Sequence, residues 1–162
     1  MNKPAAIAEK HHGTLGDHDD VRLWLRLLSC TMTIEKSVQR LLAERGTTLP
    51  RFDVMAALER VPGGLTMGEL SQALLVSNGN VTQLVQKLAA DGLVTVAPEP
   101  RDRRVSRVRL TPAGAVHFAE LATAHHDHID ALFAALPPSD HARLYAALGA
   151  LKTSIASAEE PA

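Results

Sequence analysis

Between Thr66 and Gly114 the spacing of apolar residues switches from a helical period to an alternating one and back, and few folds accommodate that change. Val81, Leu84, Val85 and Leu88 recur at helical spacing. From Val105 to Leu110 the chain alternates instead, with Ser106, Val108 and Leu110 set against Val105, Arg107 and Arg109. Thr66-Met67-Gly68-Glu69 matches a capping box, in which the Thr hydroxyl and the Glu carboxylate each accept the other residue's backbone N–H. It opens a short helix to about Leu75. Ser77 can cap the next helix, about Asn78 to Asp91, which Gly92 ends. Leu93 to Ala97 and Val105 to Leu110 read as two strands, and Pro98 and Pro100 make their connection a loop.

The flanks are helical. Residues 1 to about 17 read as a flexible tail, and residues 18–162 as a single domain. Asp19 or Asp20 can cap a long helix from about Val21 to Arg45, closed by Gly46. Pro50 suits the first turn of a second helix to about Arg60. Thr111-Pro112 opens a helix to about Leu136, and Pro137-Pro138-Ser139 starts a last one to about Ser157. The expected fold is mainly α with a small β-hairpin wing, a winged helix-turn-helix spanning 50–111. Aromatic residues are 3% of the chain, so the core must be aliphatic. The first half of the first helix is apolar nearly all round, whereas a surface helix carries a single apolar stripe. In a chain this small that points to a partner subunit, with 21–46 and 112–157 as dimerisation helices.

Placing the helical repeat of Val81, Leu84, Val85 and Leu88 inward leaves Asn78, Gly79, Asn80, Thr82, Gln83, Gln86 and Lys87 outward, with Ser77 at the helix start. Amide side chains can bond adenine through two hydrogen bonds, and early residues of a recognition helix meet base edges. Lys87 lies further along, where a phosphate is the natural partner. The loop offers Arg101, Asp102, Arg103 and Arg104, guanidiniums suited to a narrow minor groove with a carboxylate able to orient one of them. Formal net charge is -1, so bulk charge does not announce nucleic acid; its distribution does. Between Lys87 and Arg109 the cations are Lys87, Arg101, Arg103, Arg104, Arg107 and Arg109, against Asp91, Glu99 and Asp102. An ordinary solvated helix face and a charged turn remain the bland alternatives, as does a winged helix used for protein interaction alone.

Asp102-Arg103-Arg104 followed by Val108-Arg109-Leu110-Thr111-Pro112-Ala113-Gly114 resembles the wing and exit of the MarR family of bacterial transcriptional regulators. The similarity covers about Val21 to Ala156. It implies a homodimer on a double-stranded, pseudo-palindromic operator, with Asn78 to Lys87 in the major groove, Arg104 in the minor groove and Asp102 orienting the wing. It also implies repression relieved by a small, often phenolic, anion bound between the dimerisation helices and the winged region. That place maps to Trp24, Leu28, Phe52, Asp53 and Met55, with Arg22, Arg26 and Arg51 as candidate cations for a carboxylate or phosphate. Leu23 to Cys30, Phe52 to Leu58 and Val76 to Asn80 are similar to a subgroup controlling aromatic-acid catabolism, some members of which sense aromatic acyl-coenzyme A thioesters.

Cys30, the single cysteine, allows no intrachain disulfide and fits a reducing compartment. Its apolar neighbours favour a buried packing role over a thiol-based sensor, which needs an accessible thiolate. His117, His125, His126 and His128 crowd one helix without a thiolate partner, so no metal is expected. There is no His-Glu-x-x-His, phosphate-binding glycine loop or nucleophile elbow, and neither an enzyme nor a cofactor is expected. The polar first residues and the lack of a long apolar run point to the cytoplasm.

Overall fold

A computed structural model describes residues 18–74, 78–99 and 102–159, and for residues 78, 102–104 and 159 the backbone alone. In order the elements are α1 (Asp19–Glu44), α2 (Leu49–Glu59), β1 (Leu65–Thr66), α3 (Met67–Leu74), α4 (Asn78–Ala90), β2 (Val94–Glu99), β3 (Asp102–Leu110), α5 (Pro112–Phe133) and α6 (Pro138–Glu159). The chain divides into two compact units, one closing at His126 and the other running from Asp127 onward. The core of the first unit is aliphatic apart from Phe52: Val38 and Leu42 of α1 and Val54, Met55 and Leu58 of α2. Leu70, Val81, Val85, Leu88, Val94, Val108 and Leu121 are buried with them.

Local chemistry sets the helix ends. Neither Asp19 nor Asp20 caps α1; both lie within its first turn after His18, where a carboxylate still favours the positive end of the helix dipole. At the other end Gly46 has φ 71°, its N–H donates to the Ala43 carbonyl at 3.0 Å, and the Thr47 N–H donates to Leu42 at 3.0 Å. These two reversed bonds satisfy carbonyls the helix leaves open, and they need a left-handed residue that glycine adopts without strain. The same pattern closes α4. Gly92, at φ 72°, donates to Ala89 at 3.0 Å and Leu93 donates to Leu88 at 2.9 Å.

The sheet departs from the expected hairpin in three ways. It has three strands in the order β1-β3-β2, because Leu65 pairs with Val108 and Thr66 with Arg107. It is also longer: β2 continues through Pro98 to Glu99, and β3 begins at Asp102, where loop was expected. Pro98 is tolerated because β2 is an edge strand. Finally, the register shifts. Pro98 pairs with Ser106, but Glu99 pairs with Asp102, a bulge-like break in the ladder.

The hairpin is joined to α4 and α5 at one point. Thr111 donates its N–H to the Leu93 carbonyl at 3.0 Å and its hydroxyl to the Gly92 carbonyl at 2.7 Å. The same hydroxyl accepts the Gly114 N–H at 2.9 Å and so caps α5. On the first half of α1 the large apolar side chains of Val21, Leu23, Trp24 and Met32 are exposed. Cys30 is exposed there as well, which corrects the expectation of a buried packing cysteine. Its neighbours Leu27 and Leu28 are half-buried, but its own side chain is not. Among the described residues no helix is long and apolar enough to cross a membrane.

Candidate nucleic-acid interface

The capping box forms as expected, with Thr66 N–H to Glu69 Oε2 at 2.7 Å and Glu69 N–H to Thr66 Oγ1 at 3.2 Å. The bond from the Thr66 amide holds the Glu69 carboxyl below its ordinary range, and the Thr66 hydroxyl contact and the charge of Arg107 act the same way. This box starts α3, which packs on α4 as the first helix of a helix-turn-helix. On α4 the residues Val81, Val85 and Leu88 are buried, and Leu84, expected in the core, is half-buried at the rim of a small cavity. Gly79, Asn80, Gln83, Gln86 and Lys87 are exposed and Thr82 is half-buried. The structure therefore presents amides and an ammonium together on the outer face of one helix. Asn78 takes its place as the first residue of α4 in backbone only, and Ser77 lies outside the described residues.

Of the expected wing residues, Arg101 lies outside the described residues. Asp102, Arg103 and Arg104 belong to the backbone of β3, their side chains being outside the description. Beyond them, Arg109 is exposed but Arg107 is not a free surface cation. Its Nε donates to Glu99 Oε2 at 2.6 Å and its Nη1 to the Gly64 carbonyl at 2.8 Å, with Glu69 Oε2 3.8 Å away. Sequence reasoning counted it among the basic surface. Its position beside Val108 on an alternating strand was visible, but not its partners, which lie 8 and 43 residues away.

The residues expected around an effector do not converge in this chain. Trp24 is 59% exposed, while Met55 is fully buried and Phe52 nearly so. The Phe52 ring stacks on Phe118 at 5.5 Å and on His125 at 5.0 Å between centroids. Trp24 precedes Glu35, which faces Asp53, by eleven residues of α1, roughly 16 Å of helical rise. Leu28 is half-buried and Arg26 exposed. Arg22 lies 3.7 Å from Asp19, and Arg51 donates through Nη2 to Asp91 at the end of α4, so both guanidiniums hold carboxylates of the chain.

Asp53 lines two cavities. One, of about 170 Å³, adds Glu35, Gln39, Leu49, Pro50, Leu74 and Leu84. The other, of about 410 Å³, adds Ala56, Ala57, Arg60, Val61, Leu65, Ala73 and Leu74. Burial, and secondarily the Glu35 carboxylate, raise the Asp53 carboxyl above its ordinary value. Sequence reasoning did not single out Arg60; a cation at the end of α2, just before the glycine turn, was the available signal. Among the described residues no three histidine, cysteine, aspartate or glutamate side chains gather as a metal site.

A model described as MarR family matches residues 45–105. The chain is 37% identical over 95 residues to the transcriptional activatory protein BadR of Rhodopseudomonas palustris, an alignment covering 57% of this chain and about half, 54%, of that relative. It is 30% identical over 115 residues to the HTH-type transcriptional repressor IacR of Pseudomonas putida, covering 68% of this chain and 67% of the relative. Among solved structures, a MarR family transcriptional regulator from Silicibacter pomeroyi superimposes with a TM-score of 0.72 at 38% identity. That match covers 84% of this chain and 94% of the other.

Proposed function

Because the chain belongs to the MarR family of transcriptional regulators, we propose that it acts as a homodimer on a pseudo-palindromic DNA operator in the cytoplasm and represses transcription there. The observation that carries this reading is the outer face of α4, where Asn80, Gln83, Gln86 and Lys87 are exposed together while Val81, Val85 and Leu88 hold the helix to the core. Asn and Gln on such a face read adenine edges, and Lys87 takes a phosphate. Arg101, Asp102, Arg103 and Arg104 at the hairpin supply the minor-groove contact, and Ser77 and Asn78 begin the reading helix. The relatives include one named an activator and one named a repressor. Repression is adopted because it requires only that the protein occupy DNA.

Selection from random duplexes, followed by footprinting, tests the proposal. Two half-sites about one helical turn apart are expected, with altered base preference in Gln83→Ala and Gln86→Ala. Selection that enriches no sequence removes it.

The signal we propose is a small aromatic acid or its acyl-coenzyme A thioester, which shifts the population toward a form that releases DNA. Arg60 supports this reading: it lines the larger cavity with Ala56, Ala57, Val61 and Leu65, a cation beside apolar walls in a space that the Asp53 carboxyl also lines. Thermal-shift titration with free acids and their thioesters tests it, and no shift with any of them excludes it. A thiol response at Cys30 is the second reading, favoured by that residue's exposure. Peroxide release of DNA from the wild type but not from Cys30→Ser would replace the ligand with an oxidant.

A further inference from the structure

Among the described residues of the winged region, Arg107 bonds to several separate segments, and DNA contact does not account for its connections. Its strand, β3, is the middle of the sheet, and residue 107 faces Ala97 of β2 on one side and Thr66 of β1 on the other. From that position one guanidinium reaches three separate segments. It meets the Glu99 carboxylate at 2.6 Å, at the far end of β2 beside the bulge. It meets the Gly64 carbonyl at 2.8 Å, in the turn after α2. It lies 3.8 Å from Glu69, the carboxylate that closes the capping box of α3. Gly64 itself sits so close to β3 that a Cβ would stand 2.3 Å from the Val108 carbonyl oxygen, so the turn is seated on the strand beneath the arginine.

We propose that Arg107 is a positioning residue that holds the wing at a set orientation to the helix-turn-helix, without touching DNA itself. This rests on the DNA-binding reading above. A planar guanidinium has donors for several partners at fixed angles, which a lysine ammonium on a flexible stem does not reproduce. The bulge at Pro98/Glu99 turns the end of β2 away from simple ladder geometry, and the Glu99–Arg107 pair returns it to the body of the domain. Through Glu69 the same group is tied to the first turn of α3, which carries α4. Arg107 thus adds, at the far end of the hairpin from the Thr111 junction, a second tie between the wing and the helix-turn-helix, and a two-point contact with two grooves requires such fixing.

The test uses the full chain and an operator fragment obtained by selection. Arg107→Met keeps the aliphatic stem and removes the fork. Its affinity for the operator should fall on the order of tenfold, as for loss of one shared polar network. The slope of log K against log salt should stay at the wild-type value, because no phosphate contact is lost; a lost contact would lower it by about 0.9. Hydroxyl-radical protections given by the wing should weaken while those given by α4 persist. Arg107→Lys should resemble Arg107→Met, and Glu99→Gln should move the same way by less.

Hydrogen exchange without DNA reads the brace directly: Arg107→Met should speed exchange in Val94–Glu99 and in Met67–Leu70 together, leaving α1 and α2 as they were. Wild-type affinity and footprint in Arg107→Met, or a slope reduced by about 0.9, overturns the proposal. A wild type that binds no DNA refutes the functional reading instead, and unchanged exchange in Arg107→Met then refutes the brace separately.

Discussion

A Cβ at Gly114 would lie 1.9 Å from the Leu93 carbonyl oxygen, and that oxygen is held in place by the Thr111 N–H. The obstacle is backbone in a hydrogen-bonded junction, so it cannot swing aside as a side chain would. Gly114→Ala should therefore lower stability by about 2 kcal/mol or more, as overpacking does in well-packed cores. Urea denaturation checks this, and an unchanged midpoint refutes it.

Asp53 gives a prediction of opposite sign. Its folded-state pKa is raised above the ordinary 3.8, chiefly by burial, so the folded form holds its proton more tightly than the unfolded form. Its contribution to stability is full below about pH 3.8 and is lost as pH rises through the raised value. Asp53→Asn should then be more stable than wild type at pH 7, with the gap closing near pH 3.5. Midpoints at the two pH values that show no such closing would exclude it. At this scale the sequence was legible where chemistry is local, as at Thr66 and Glu69. It was silent where partners come from distant elements, as at Arg107 and Arg51.

Three helix ends followed from sequence because their hydrogen bonds close within a few residues, whereas the cap expected from Asp19 or Asp20 did not form. Gly46 and Gly92 end α1 and α4 by the same bonded turn, and Thr66 starts α3. Thr66 also pairs with Arg107 as a strand residue, a role no periodicity could reveal in a two-residue strand. Thr66→Ala removes the hydroxyl but keeps the backbone pairing. It should cost about 1 kcal/mol, read as a lowered melting temperature, with strand content by circular dichroism unchanged. The strands also run longer than the sequence predicts, since Pro98 signals a loop unless the strand is known to lie at a sheet edge. On α4 the exposed Lys87 makes a test at the level of the element. Lys87→Ala should weaken binding evenly across operator sequences and reduce the salt slope by about 1. A change in sequence preference instead would place Lys87 on a base edge.

At the scale of the two units, each carries exposed large apolar side chains among its described residues. On α1 these are Val21, Leu23, Trp24 and Met32; on α6 they are Leu144, Tyr145 (79% exposed), Leu148 and Ile155. The proposed dimer would bury surfaces of this kind, and patches so rich in large apolar residues mark association sites. Leu148→Glu should shift the protein from dimer to monomer in light scattering and abolish binding to a two-half-site operator. A variant that remains dimeric would remove α6 from the interface. The order of the helices, the glycine ends of α1 and α4, the capping box of α3 and the outward amides of α4 could be derived from the chain as written, because each depends on neighbours within about one or two turns. The third strand, the bulge, the inward Arg107 and the scattering of the expected effector residues emerged only in three dimensions. Those features depend on contacts between residues tens of positions apart, and no local period in the sequence records which distant groups will meet.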